Sequence, residues 1–173
     1  HVYQFQNGCG RIDIENPKRK EINELSEEYP FHPLHLEASL LKGQLDRVEK
    51  EKDYLIILLH TPSYDEKEDK VKTNQISIFL GKNYLVTVHE DSLVTISSLF
   101  IECQGNKDKI DALFKNSASF LLYNVIESLV KDISALHQIV LQELDEIEDL
   151  VFDIKVSGAY RVSELRQKII RLR

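Results

Sequence analysis

The chain has 173 residues, of which 42% are apolar and 29% charged, and a formal net charge of −7. That is enough apolar material to bury a core and too much for disorder over most of the length. The acidic balance argues against non-specific nucleic-acid binding and against adhesion to an anionic leaflet, both of which need basic surface.

The two cysteines, Cys9 and Cys103, form neither a close metal-ligand pair nor a disulfide framework, so a reducing compartment is the simplest reading. No stretch approaches the roughly 18 apolar residues of a membrane span, and there is no signal peptide. The chain contains no Met and begins at His1. It therefore reads as a fragment or an incomplete chain, with continuation of the natural protein at either end, and a membrane segment there, left open.

In chain order, Arg11 to Ile14 alternates as a strand does. Asn16-Pro17 predicts a helix start, a capping side chain followed by proline at the first helical position. Ile22, Leu25 and Tyr29 fall on one face of that helix, and Pro30 ends it. A second short helix is predicted from Pro33 to Leu41, burying Leu36, Leu40 and Leu41, with Gly43 closing it. Tyr54 to Thr61 is almost continuously apolar, as in a strand covered on both faces. Pro62 to Lys72 reads as a solvated loop. Gln75 to Leu80 and Tyr84 to His89 read as a hairpin joined by Gly81-Lys82-Asn83. Asp91-Ser92 caps a further helix running to about Phe100, and Gln104 to Lys109 reads as a loop.

From Ser117 onward the pattern is helical. Leu122, Ile126, Leu129, Ile133, Leu136, Val140, Leu144, Ile147, Val151 and Ile154 recur at steps of three and four, which predicts one sustained seam near coiled-coil spacing. Ser157-Gly158 breaks the pattern and Tyr160 to Arg173 resumes it, so the chain ends in a helical hairpin. Charge divides between its arms. Glu143, Asp145, Glu146, Glu148, Asp149 and Asp153 precede the break, whereas Lys155, Arg161, Arg166, Lys168, Arg171 and Arg173 cluster at and after it. Two readings follow: charge complementarity between antiparallel arms, or a carboxylate cluster that gathers hydrated divalent cations.

His32, His35 and Glu37 form the one local cluster with metal-binding residue types. Pro33 places His32 at or before a helix start, and the spacing differs from His-Glu-x-x-His, so capping is the plainer role. Read as a zinc hydrolase site, the cluster predicts tight stoichiometric zinc. His60, His89 and His137 have no sequence neighbours that suggest a triad. There is no Gly-x-Ser-x-Gly and no glycine-rich phosphate loop. The expectation is that the chain is not an enzyme and has no small-molecule substrate.

Four segments in order carry a resemblance. Phe31-His32-Pro33-Leu34-His35-Leu36-Glu37 is similar to F-G-x-H-P-L-x-L-E-D. Val48-Glu49 followed by Asp53-Tyr54-Leu55-Ile56-Ile57-Leu58 is similar to K-V-E-x-x-x-x-Y and an apolar strand. The run from Gln75 to Glu90 is similar to E-Q-V-S-hydrophobic-L-x-K-N-x-L-x-T-x-x-E, and Phe120 to Asp132 to Y-L-L-Y-x-L-x-D-x-hydrophobic-V-D. On these the chain resembles the CorA-type magnesium and cobalt transporters. The resemblance implies an α/β (α+β) fold: a mixed β-sheet sandwiched between helical layers, followed by a long acidic helical hairpin. It divides the chain into a sheet domain at 1–116 and a helical part at 117–173. It also implies a domain at the cytoplasmic face of the cell membrane that senses magnesium between subunits of a homopentamer and gates a pore in its own membrane domain. Glu37 matches the Glu of L-E-D, and Glu127 matches a carboxylate of a second interfacial site. These two are the candidate magnesium ligands. The adjacent family Asp is Ala38 here, and Q-R-P-K is Gln44-Leu45-Asp46-Arg47. The alternatives are a zinc-transporting relative, and a soluble oligomerisation scaffold whose seam docks a helical partner.

Overall fold

The computed structural model describes residues 2–4, 10–65, 68, 70–90, 93, 95, 96, 98, 117–152, 162, 163 and 166. Six strands, β1 (Val2–Gln4), β2 (Gly10–Glu15), β3 (Arg47–Lys50), β4 (Tyr54–Asp65), β5 (Lys70–Gly81) and β6 (Tyr84–His89), form one sheet in the order β1-β2-β6-β5-β4-β3. The sheet is mixed: β2 runs parallel to β6, while β1 with β2, β3 with β4 and β5 with β6 are antiparallel. Three helices complete the described elements: α1 (Arg19–Glu28), α2 (Pro33–Ala38) and α3 (Ala118–Phe152).

Alternation along the strands sends neighbouring residues to opposite faces. Ile56, Phe79 and Val86 pack with Ile22 and Leu25 of α1 and Leu36 of α2. Their neighbours Ile57, Ile78 and Leu85 pack with Ala118, Leu121, Val125 and Leu129 of α3. The sheet thus lies between helical layers, as expected. The second arm of the expected hairpin, the helix over 91–100, the loop at 104–109 and both cysteines lie outside the described residues, apart from isolated positions. Of those, Leu93 and Ile96 join the α3-side core.

Two compact units divide the chain: residues 1–61 with 74–129, and residues 62–73 with 130–173. α3 contributes to both.

Several local expectations need correction. The first helix begins at Arg19 and not at Pro17. Asn16 instead ends β2 in the left-handed region at φ 51°, a conformation asparagine tolerates, while its N–H still donates to the His89 carbonyl at 2.8 Å. The Glu21 carboxylate reaches back to accept the Lys18 N–H at 3.0 Å, which supplies the N-terminal cap. The second helix stops at Ala38, so Leu41 is no longer carried to the core and stands 51% exposed. Gly43 closes the segment at φ 76°, where a side chain would be strained.

The stretch 62–72 is largely strand, since β4 runs to Asp65 and β5 begins at Lys70. Its charges pair across the turn: Lys72 Nζ donates to Asp65 Oδ2 at 2.6 Å and lies 3.6 Å from Glu68. A charged run that reads as solvated loop therefore closes a hairpin by cross-strand attraction. On α3 the buried face is Leu121, Val125, Leu129, Leu136, Val140 and Ile147, with Leu122 and Ile126 only partly covered. Ile133 and Leu144 are 37% and 42% exposed. The helix is apolar over an arc wider than one seam, so spacing alone could not choose which edge faces the sheet.

Candidate functional site

Glu37 sits on α2, whose position is fixed by a chain of buried contacts. Phe31, just before the helix, stacks on Phe79 with ring centroids 4.4 Å apart and meets Tyr54 edge-on at 5.0 Å. His32 caps the helix: its Nδ1 accepts the Leu34 N–H at 3.2 Å, and Pro33 takes the first turn, where no N–H is needed. The Tyr54 hydroxyl accepts the His32 N–H at 2.9 Å and lies 2.7 Å from His35 Nδ1. His35 Nε2 lies 3.3 Å from Glu49 Oε2, and Arg47 Nε donates to Glu49 Oε1 at 2.5 Å. The Arg47 hydrogen bond first, and His35 second, hold the Glu49 carboxyl below the usual range. Burial pushes the Tyr54 phenol up, so it stays protonated and able to donate to His35.

These contacts run against the zinc hydrolase reading. His32 Nδ1 is occupied by the cap, and both ring nitrogens of His35 have partners within the chain. Among the described residues no group of three or more His, Cys, Asp or Glu is arranged to hold a metal ion.

The carboxylate of Glu37 faces outward. It forms an ion pair with Arg19, whose Nη2 lies 3.7 Å from Oε1. Ala38 points the other way: it is 5% exposed, and its carbonyl accepts Gln75 Nε2 at 2.9 Å. Glu127 lies on α3, half-buried, and already interacts within the chain. Because α2 and α3 cover opposite faces of the sheet, one copy of the chain does not bring Glu37 and Glu127 together. Magnesium keeps several waters and is commonly held through one or two carboxylates. An exposed carboxylate such as Glu37 could supply one ligand to such a partly hydrated ion.

A buried polar cluster went unread in the sequence. Asp13 on β2 and His89 on β6 meet across the parallel pair, His89 Nε2 lying 3.2 Å from Asp13 Oδ1, with both side chains essentially inaccessible. The Thr87 hydroxyl donates to the same Asp13 oxygen, and His89 Nδ1 donates to the Glu90 carbonyl at 2.6 Å. Burial works against charge on this imidazole, but the Asp13 hydrogen bond and charge, the Glu90 carbonyl and Glu15 outweigh it, and the net pKa is raised above 6.5. Because the Thr87 hydroxyl is tied to the carboxylate and the Asp13 and His89 side chains are shut off from solvent, the cluster reads as a structural one. His60 likewise has a partner, Asp46 Oδ1, at 2.5 Å. The signal available in sequence was a carboxylate inside Ile12-Asp13-Ile14 and a histidine after Val88, each within a strand that is buried on both faces.

Together these features define a class: a mixed-sheet α/β domain with helices on both faces, continued by a 35-residue helix. The same fold is that of the soluble domain of CorA from Methanocaldococcus jannaschii, with a TM-score of 0.80 over 95% of this chain and 64% of that one, at 24% identity. The family model described as CorA-like Mg2+ transporter protein matches residues 12–173, and the chain belongs to that family. Among curated relatives, the cobalt/magnesium transport protein CorA of M. jannaschii is 28% identical over 94% of this chain and 48% of its own length. The protein of the same name from Thermotoga maritima is 27% identical over 96% and 45%. The chain therefore spans about half the length of these relatives. Among the described residues, no helix is long and apolar enough to cross a membrane.

Proposed function

We propose that this chain is the cytoplasmic ion-sensing part of a divalent-cation transporter, assembled as a homopentamer with its own membrane domain. The family match over residues 12–173 carries the reading. The cargo is magnesium or cobalt, the ions in the names of the two relatives. Magnesium acts on this domain as a weak regulatory ligand that bridges neighbouring copies at Glu37 and Glu127. The exposure of Glu37, and the placement of the two carboxylates on opposite faces, support a site completed between copies and not within one. A bound cation offsets repulsion between acidic neighbours and favours the closed arrangement, and its loss releases the subunits and lets the pore open. Such a population shift requires that magnesium bind the two arrangements with different affinity.

The test is thermal melting of the 173-residue chain while magnesium chloride is titrated to tens of millimolar, roughly the range of weak carboxylate sites, beside Glu37→Gln and Glu127→Gln. A melting temperature that rises with magnesium in the wild type, and rises less in each variant, supports sensing at these positions through ligand linkage. A flat wild-type response, or variants that respond as the wild type does, refutes it.

A further inference from the structure

One positive charge of the chain already stands beside the carboxylate on which the proposed sensing rests. Arg19 opens α1, and its Nη2 lies 3.7 Å from Glu37 Oε1, with the two side chains 74% and 54% exposed. Both helices belong to the same unit and are anchored in the same core cluster through Ile22, Leu25 and Leu36. The core beneath, and not the ion pair, therefore holds the two helices that carry these side chains. The next residue, Lys20, is turned instead to Glu24 of its own helix, at 3.8 Å. An arginine keeps its charge at any working pH and is only loosely hydrated. Standing next to a carboxylate without hydrogen-bonding to it, the guanidinium acts on an arriving cation through its charge, which repels the incoming ion.

We infer that Arg19 is a tethered competitor for the cation at Glu37 and sets the magnesium concentration at which that site fills. Magnesium must approach the carboxylate against the charge of the guanidinium, or push that side chain aside. The exposure of both partners makes displacement easy, so the arginine tunes the site without closing it. The size of the effect follows from the modest strength of exposed ion pairs, which corresponds to a change of about 1.5-fold to 5-fold in the magnesium midpoint. The direction carries the information. Removing a competitor lowers the midpoint, whereas removing a residue that merely held α1 against α2 would raise it or leave it in place. The inference rests on the proposed sensing at Glu37, and the test separates the two.

Melting temperature is followed against magnesium chloride at constant ionic strength for the 173-residue chain and four variants: Arg19→Gln, Arg19→Lys, Lys20→Gln and Glu37→Gln. The expected result is a midpoint about 1.5-fold to 5-fold lower in Arg19→Gln, near wild type in Arg19→Lys and Lys20→Gln, and a weakened response in Glu37→Gln. A Glu37→Gln variant that responds as the wild type does, or a flat wild type, overturns the sensing itself. A weakened Glu37→Gln response together with an Arg19→Gln midpoint at or above wild type overturns the role of Arg19 alone. A Lys20→Gln shift as large as that of Arg19→Gln overturns it too, because net charge would then account for the effect.

Discussion

Asp13→Asn should reverse the way stability depends on pH. In the wild type His89 has a folded pKa raised above its ordinary 6.5. Its contribution is therefore fully present below about pH 6.5 and is lost as pH rises through the higher folded value. In the variant the carboxylate that contributed most to raising it is gone. Burial, the largest single influence on this imidazole, is then opposed by the Glu90 carbonyl and Glu15 and is expected to prevail over them, taking the folded pKa below the unfolded one. The contribution then reverses: stability falls as pH drops through about 6.5. The magnitude follows from the burial of both partners and their 3.2 Å separation. Removing one member of a buried pair costs about 3–5 kcal/mol while the other stays charged, so that is the expected deficit near pH 5.5. Near pH 8 the imidazole is neutral and the new amide can donate to Nε2, so the deficit shrinks to about 1 kcal/mol. Urea denaturation from pH 5.5 to 8 measures both curves. The other histidines are common to the two proteins and cancel in the difference. Parallel curves, offset by a constant amount, would refute the argument.

Two further substitutions test the packing. Leu121→Ala removes a side chain that is fully buried against the sheet and should cost about 2–5 kcal/mol, clearly more than Leu122→Ala at the half-covered neighbouring position; equal costs by chemical denaturation would contradict the assigned face of α3. Tyr54→Phe leaves the His32 N–H and His35 Nδ1 without their shared hydroxyl and should cost about 1–3 kcal/mol. A variant as stable as wild type in the same assay would show that this hydroxyl does not hold α2 in place.

Strands were legible where pattern and burial coincide. Arg11–Ile14 alternates, Tyr54–Thr61 is continuously apolar, and the two runs around Lys82-Asn83 are separated by a hairpin-length gap. Legibility failed where charge hid pairing, as at Asp65 and Lys72, whose opposite signs close a hairpin that reads as loop. It failed again on α3, where Leu121 and Leu122 are equally apolar and only the sheet decides between them. The Asp13–His89 pair joins residues 76 positions apart through a parallel strand pairing that no local pattern announces. Glu37 and Glu127 were singled out by family resemblance alone, since nothing in their immediate spacing distinguishes them from other surface glutamates. His32 was legible as a cap because Pro33 follows it.

The most direct test of the central claim, that magnesium joins copies of this chain through its exposed carboxylates, is sedimentation mass as a function of magnesium. The account predicts that mass rises with magnesium toward a five-copy assembly, returns to the starting value on chelation, and stays low in a Glu37→Gln, Glu127→Gln double variant. An identical mass with magnesium and with chelator, at every protein concentration, would contradict it.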